Sequence, residues 1–333
     1  MRAHDDDRPN GPANAASGVS RQVGNAAEGP GPVVVAVSGR ETSLAPLRAA
    51  AAIARRQGTP VEMVVVFEPR FPLPLRPGED MAPRLDDPAQ RRQAQWLVER
   101  ARAERHQVAA DYPEADQWVI HLEVGDAPTK IARAARQARA WLTVVGLGRA
   151  GDPTAGQLAR RLMYLSDLPI LGVAGDGPSE FTSVLVDGGP STAGVRVART
   201  AMRILPPGGE LHLVSVSPVA GKLAPGMVPA GTPVLPNDPE ALRRQLEPPP
   251  EVVVRTARLD GDPAVQLLSY ADQLRIPLVA SAIEGRTATE RTLLRNLGPS
   301  LLRARRGAVL LVPPAAVREP VLPQTSVAAP AGV

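Results

Sequence analysis

The sequence contains no cysteine, which excludes disulfide bonds, thiolate metal sites and cysteine nucleophiles. Aromatic residues make up only 3% of the chain, so a core must be built from valine, leucine, isoleucine and alanine. No apolar run approaches the ~20 residues that a membrane-spanning helix needs. The first residues, MRAHDDDRPN, are polar, and no apolar signal segment follows them. We therefore expect a cytoplasmic protein without a membrane partner.

Lysine is also scarce, because only Lys130 and Lys222 occur and arginine supplies nearly all the positive charge. The formal net charge is +4 and the pI is near 10.0. Arginines such as Arg133, Arg136 and Arg139 fall on a predicted helix. A nucleic-acid-binding protein would gather such charge on one face beside stacking aromatic residues. With so few aromatics, solvated helix faces are the better interpretation, and we expect no nucleic-acid partner.

The chain repeats itself. VVVAVSGRETSLAPLRAA, starting at Val33, aligns with SVLVDGGPSTAGVRVART, starting at Ser183. Further along, VGDAPTKIARAARQARAWLTVVG from Val124 aligns with DGDPAVQLLSYADQLRIPLVASA from Asp260. The repeating unit is far too long for a solenoid, so the pattern indicates a duplicated domain.

Apolar strands alternate with amphipathic helices in both copies, which favours parallel strands joined by right-handed crossovers. The predicted fold class is α/β, with two tandem doubly wound sandwiches that each contain a mainly parallel five-stranded sheet. We place the domains at residues 32–176, the first half, and at residues 180–314, the second half. The flanking residues 1–31 and 315–333 lack hydrophobic periodicity and predict a disordered arm and tail.

Ligands of open α/β sheets bind beyond the carboxyl ends of the strands. The residues predicted to lie there are Ser38, Gly39, Gly146, Gly148, Gly156 and Gln157 in the first half, and Asp187, Gly188, Ala282, Gly285, Arg295 and Asn296 in the second. A helix start follows the later loop of each half, where backbone N–H groups and the helix dipole attract phosphate. On the residues alone, each glycine also suits a tight turn, and Asp187 also suits capping of the helix near Ser191.

These motifs resemble the universal stress protein family, in two copies that cover nearly everything from Val33 to Pro313. The family's domain opens with a strand ending in Asp-Gly-Ser or similar, and has a Gly-Asp step before its third helix, matched here by Gly125-Asp126 and Gly261-Asp262. Its ATP-binding members carry Gly-x2-Gly-x9-Gly-Ser/Thr after the fourth strand. The resemblance implies a regulatory role in the stress response, ATP as the ligand and no metal.

The first half departs from the nucleotide motif at several positions. Ser38 replaces the acidic residue after the first strand. Gly146 and Gly156 are kept, but the loop between them is shorter than the family spacing, and Gln157 replaces Ser/Thr.

The second half keeps Asp187 and the full spacing of the later loop. Ala282 replaces the first glycine, and Arg295-Asn296 replaces the final Gly-Ser. Because it keeps both the acidic residue and the spacing, we expect the second half to hold any nucleotide more strongly than the first.

The last strand predicted in each half, Ile170–Val173 and Val309–Val312, is short and apolar. Members of the family commonly dimerise through such strands, and unpaired they would be exposed edges. We therefore predict that the two strands lie against each other, which would make the chain an intramolecular pseudo-dimer of its repeats.

No catalytic constellation emerges from the sequence, so we expect no enzyme. The histidines show no metal-ligand spacing, and none lies beside a plausible nucleophile; they are His4, His106, His121 and His212. Two functions remain open: a nucleotide-binding regulatory module, or a non-nucleotide-binding interaction scaffold with an unknown protein partner. A remote third is an ATP-cleaving enzyme, since the segment from Ser38 to Ser43 resembles a Ser-Gly-Gly-x-Asp-Ser pyrophosphate loop, which Arg40 and Thr42 break.

Overall fold

The computed structural model describes the chain over residues 30–37, 44–69, 87–148, 154–188, 191–217, 238–283, 297–304 and 307–314. The first half contains strands β1 (Val33–Val37), β2 (Val61–Phe67), β3 (Val119–Val124), β4 (Leu142–Gly146) and β5 (Ile170–Val173), and helices α1 (Ala45–Gln57), α2 (Pro88–Ala109), α3 (Ala127–Gln137) and α4 (Gln157–Leu165). The second half contains strands β6 (Ser183–Asp187), β7 (Glu210–Ser217), β8 (Val253–Asp260), β9 (Leu278–Ala282) and β10 (Ala308–Val312), and helices α5 (Thr192–Ile204), α6 (Pro239–Leu246), α7 (Pro263–Gln273) and α8 (Gly298–Ala304). The predicted tail and all but the last residues of the predicted arm lie outside the described part.

The strands form one ten-stranded sheet in the order β3-β2-β1-β4-β5-β10-β9-β6-β7-β8. Within each half every pairing is parallel. The halves meet where β5 and β10 pair antiparallel, with Leu171 opposite Leu310. The α/β class and the predicted pairing of the two last strands are thus confirmed, and the two five-stranded sheets are joined edge to edge. We call this β5–β10 pairing the seam.

Each face of the sheet carries an apolar cluster that runs through both halves. On one face, α1, α2, α5 and α6 contribute buried Leu47, Leu97, Val197 and Leu242. On the other, α3, α4, α7 and α8 contribute buried Ile131, Leu162, Leu267 and Leu301. Strand residues point alternately to the two faces, and both faces are covered, which explains why these strands are almost continuously apolar. The core of one half therefore continues into the core of the other.

The helices that follow the two Gly-Asp steps begin in the same way in both halves. Asp126 caps α3, because its Oδ2 accepts a hydrogen bond from the Thr129 N–H at 3.2 Å. Asp262 caps α7 in the same way, accepting from the Val265 N–H at 3.1 Å. The preceding Gly125 has φ 133°, a value that L side chains rarely adopt. The Gly-Asp step thus turns the chain and starts the helix.

The ends of α1 and α5 join the halves through polar contacts as well. Arg56 Nη2 donates to the Ile204 carbonyl at 2.6 Å, and Gln57 Nε2 donates to the Arg203 carbonyl at 2.9 Å. These carbonyls lie in the last turn of α5, where helix geometry leaves acceptors unpaired. The Arg203 guanidinium in turn lies 4.0 Å from the centroid of the Trp141 ring, a cation–π contact. Side chains of each half therefore satisfy groups of the other.

Candidate functional site

A cavity of about 500 Å³ opens at the carboxyl ends of β1, β2 and β4 in the first half. Val37, Phe67 and Gly146, at the ends of these three strands, all line it. The strand order reverses direction between β1 and β4, so the cavity lies at the switch point of a doubly wound sheet. This is the position at which such sheets bind ligands, and the volume lies within the usual range for small-molecule sites, roughly 300–1,000 Å³.

Predicted residues of the first half form one edge of this cavity. Gly146, Gly148, Gly156 and Gln157 all line it. Gly148 and Gly156 have φ values of 79° and 70°, in the region that favours glycine. The structure thus brings together the predicted first-half residues that it describes, while Ser38 and Gly39 lie outside the described residues.

The backbone at the start of α4 decides which amides can reach a ligand. The Gly156 N–H donates to the Leu147 carbonyl at 2.8 Å, and the Gln157 N–H donates to the Thr154 carbonyl at 3.1 Å. Hydrogen bonding of the helix then begins with the Arg160 N–H and the Gly156 carbonyl, at 2.8 Å. The N–H group of Leu158, a residue that lines the cavity, precedes that first bond and is a donor that helix geometry leaves for a ligand.

Gly146 and Gly156 differ in how much space surrounds their Cα atoms. A Cβ atom on Gly146 would lie 3.6 Å from Pro46 Cγ, an ordinary van der Waals distance. A Cβ atom on Gly156 would lie 3.1 Å from the carbonyl oxygen of Leu302 and 3.3 Å from its Cβ. Leu302 belongs to α8 of the second half. Gly156 therefore serves the packing of the two halves as well as the cavity, a role that the sequence does not distinguish.

Charged groups at the rim are hydrogen-bonded to neighbouring protein groups. Glu68 Oε1 accepts a hydrogen bond from the Ala127 N–H at 2.8 Å, at the start of α3. Arg161 Nη2 donates to Asp126 Oδ1 at 2.6 Å. The hydrogen bonds from Thr129, the larger cause, and from Arg161 hold the pKa of Asp126 below its usual value. Arg161 lines the cavity from α4, and among the described lining residues it is the one with a positively charged side chain.

Helix α2 supplies a wall that the sequence analysis missed. Trp96, Leu97 and Glu104 line the cavity from this helix. Glu104 is only 6% exposed, although it is charged. Its Oε1 accepts a hydrogen bond from Arg100 Nε at 3.2 Å, while burial, the larger effect, raises its pKa. A signal was available: Glu104 continues the helical stripe of Leu97, Ala101 and Val108, where an apolar residue is expected.

The second half places three predicted residues at its own switch point, between β6 and β9. Asp187 ends β6 and Ala282 ends β9, and Gly188 follows directly. Ser281 Oγ, next to Ala282, donates to Asp187 Oδ2 at 3.4 Å. The strands thus bring these residues together at one edge, while Gly285, Arg295 and Asn296 lie outside the described residues.

The suggestion that Asp187 caps α5 is wrong. Ser191 is the cap, because its Oγ accepts a hydrogen bond from the Gly194 N–H at 3.1 Å. Asp187 lies in the strand, four positions earlier in the chain, and keeps its carboxylate at the carboxyl edge of the sheet. Capping of α5 therefore does not explain why position 187 carries an acidic residue.

Other kinds of site find no support in the described part of the chain. No cluster of three or more histidine, aspartate or glutamate side chains there could hold a metal ion. Nor does any helix among the described residues combine the length and the apolar character needed to cross a membrane.

The strand order, the switch-point cavity and the glycine-lined helix start define a doubly wound α/β protein, arranged as two halves about a seam. A model of the universal stress protein family matches residues 31–173. This match lies in the first half of the chain.

Solved structures agree on the fold across both halves. A universal stress protein from Archaeoglobus fulgidus DSM 4304 is similar over 84% of this chain and 96% of its own, at 15% identity and a TM-score of 0.56. A putative universal stress protein from Pseudomonas aeruginosa UCBPP-PA14 is similar over 86% of this chain and 94% of its own, at 14% identity and a TM-score of 0.52. At such identities the likeness shows the fold alone. No curated protein matches the sequence significantly.

Proposed function

We propose that the protein is a regulatory module of the stress response that binds an adenine nucleotide, with ATP as the first ligand to test, in the cavity of the first half. The observation that carries the proposal is the cavity itself. It lies at the switch point and includes the start of α4 and the glycine edge, by which we mean Gly146, Gly148, Gly156 and Gln157. Phosphate would lie at this edge, where the Leu158 amide and the helix dipole favour negative charge. Arg161 would add a cation there.

The proposed action is binding rather than catalysis. Glu68 and Glu104 are the carboxylates among the described residues that line the cavity, and no histidine lines it in that part of the chain. Glu68 is held by the start of α3 and Glu104 by Arg100.

We further propose that the seam makes the chain an intramolecular pseudo-dimer. The antiparallel β5–β10 pairing relates two copies of one strand order, β3-β2-β1-β4-β5 and β8-β7-β6-β9-β10. Such self-pairing of equivalent strands is what a two-fold interface between separate subunits would use. The stronger nucleotide site expected in the second half stays a separate prediction, because it depends on Gly285, Arg295 and Asn296.

The non-binding scaffold remains the alternative function. The contact between Gly156 and Leu302 favours it, since this contact gives a structural reason for a glycine that the nucleotide motif also requires. On this alternative the cavity would be a remnant of the fold, and the surface would bind a protein partner.

Gly146→Val is expected to weaken ATP binding at least about tenfold, a loss of about 1.4 kcal/mol, because the added methyl groups fill the cavity at the end of β4. Gly146→Ala should be milder, since its Cβ would lie 3.6 Å from Pro46 Cγ. Titration calorimetry with ATP measures both changes.

The matched control is Ala282→Val, which changes the equivalent strand end in the second half. If ATP binds in the first half as proposed, this variant should leave the affinity of that site unchanged. Loss of binding in Ala282→Val, with binding kept in Gly146→Val, would instead place the site in the second half. A wild-type protein that gives no heat of binding at millimolar ATP would favour the scaffold.

A further inference from the structure

The cavity extends between two helices on different parts of the sheet. Helix α2 contacts β2 and β3, whereas α4 contacts β4 and β5. The switch point, where β1 pairs with β4, lies between these two pairs of strands in the sheet. A ligand with its phosphates at the start of α4 therefore directs its other end towards α2.

Trp96 is an unusual tryptophan in this chain. The other two, Trp118 and Trp141, are 5% and 8% exposed, whereas Trp96 is 54% exposed and lines the cavity. An exposed indole ring at a cavity is a surface on which a planar base stacks. The Arg100 guanidinium lies 5.6 Å from the Trp96 ring centroid and also donates to Glu104. Arg100 thus links the ring and the buried carboxylate.

Glu104 is a polar group with remaining hydrogen-bonding capacity. A carboxylate has about four acceptor positions, and the hydrogen bond from Arg100 uses Oε1. Burial of a charged group is unfavourable unless it is well engaged, and this one borders a cavity. Its chemistry suits a ligand that presents an N–H donor and opposes one that presents a carbonyl oxygen.

We propose that Trp96 and Glu104 select the base, with Trp96 stacking on it and Glu104 accepting a hydrogen bond from the exocyclic amino group of a 6-aminopurine. The site then prefers adenine to hypoxanthine nucleotides, because hypoxanthine carries an oxo group in place of that amino group. Arg100 acts as a positioning residue for both side chains. This inference rests on the proposed function, since it assigns the base end of the same ligand.

The test compares ATP with ITP, in which an oxo group replaces the amino group and N1 carries a hydrogen. Wild type should bind ATP about tenfold more tightly or better, because a site built to pair a polar group rejects an analogue that leaves the pair unmade. Glu104→Gln should reduce this ratio to about threefold or less, since a carboxamide both donates and accepts. Trp96→Leu should weaken both nucleotides similarly and keep the ratio, because stacking tolerates any base.

Glu99→Gln is the control on the same helix. Glu99 is exposed, pairs with Arg102 and does not line the cavity. The ratio of ATP to ITP affinity in Glu99→Gln should therefore equal that of wild type. Equal affinities of wild type for ATP and ITP would overturn the inference while leaving the proposed function intact. An unchanged ratio in Glu104→Gln would also overturn the inference, and weaker binding in Gly146→Val would show that the proposed function still holds. A wild type that binds neither nucleotide would overturn both.

Discussion

Leu310→Ala is expected to lower the free energy of unfolding by about 3 kcal/mol, within the range for removing a fully buried leucine side chain, and to do so for both halves at once. Leu310 is 0% exposed in β10, between Leu171 of the first half and Ala280 of the second. The apolar clusters on both faces run across this seam. A cavity at the seam should therefore loosen one shared core rather than one domain. The midpoint of thermal unfolding should fall by roughly 4 °C.

All three tryptophans, Trp96, Trp118 and Trp141, lie in the first half. Tryptophan fluorescence thus reports unfolding of that half, while far-ultraviolet circular dichroism reports both. In Leu310→Ala the two signals should shift together, although the substitution is in the second half. A shift of the dichroism alone would show that the halves unfold independently. Val253→Ala, at a residue 45% exposed on the edge strand β8, should change stability by no more than about 0.5 kcal/mol.

The parts of the fold that sequence analysis predicts well depend on short-range patterns. Apolar runs of strand length and the two Gly-Asp steps are readable because each element needs particular residues at fixed spacing. The pairing of β5 with β10 was also predictable, since two short apolar strands would otherwise be exposed edges. Asp187 shows the limit of this reasoning. Both Asp187 and Ser191 can cap a helix, and only the backbone geometry selects Ser191.

The depth of the first-half cavity was not predictable from the repeat. Helix α2 has 22 residues, whereas its counterpart α6 has 8. The longer helix carries Trp96 and Glu104 to the cavity, and this segment has no close match in the other half. Comparison of the repeats therefore draws attention to the strand ends that they share and away from the wall that differs. The buried charge of Glu104 becomes significant only when the neighbouring space is known.

Gly156→Ala is expected to lower the free energy of unfolding by about 2–3 kcal/mol, through two separate effects. A left-handed backbone at φ 70° costs an L-residue roughly 1–2 kcal/mol. The new Cβ would also lie 3.1 Å from the Leu302 carbonyl oxygen, which requires α4 or α8 to move. Because α4 provides the amides at the glycine edge, its displacement should also weaken ATP binding about tenfold.

Gly58→Ala separates the effect of backbone strain from the effect of the contact with Leu302. Gly58 ends α1 at φ 61°, and a Cβ there would meet nothing within 4 Å. This substitution therefore introduces the backbone strain without the contact, and should destabilise the chain by about 1 kcal/mol with ATP affinity unchanged. The difference between the two variants in chemical unfolding measures the contact between the halves. Equal destabilisation by both would mean that Leu302 yields freely, and that the glycine at position 156 is required by backbone conformation alone.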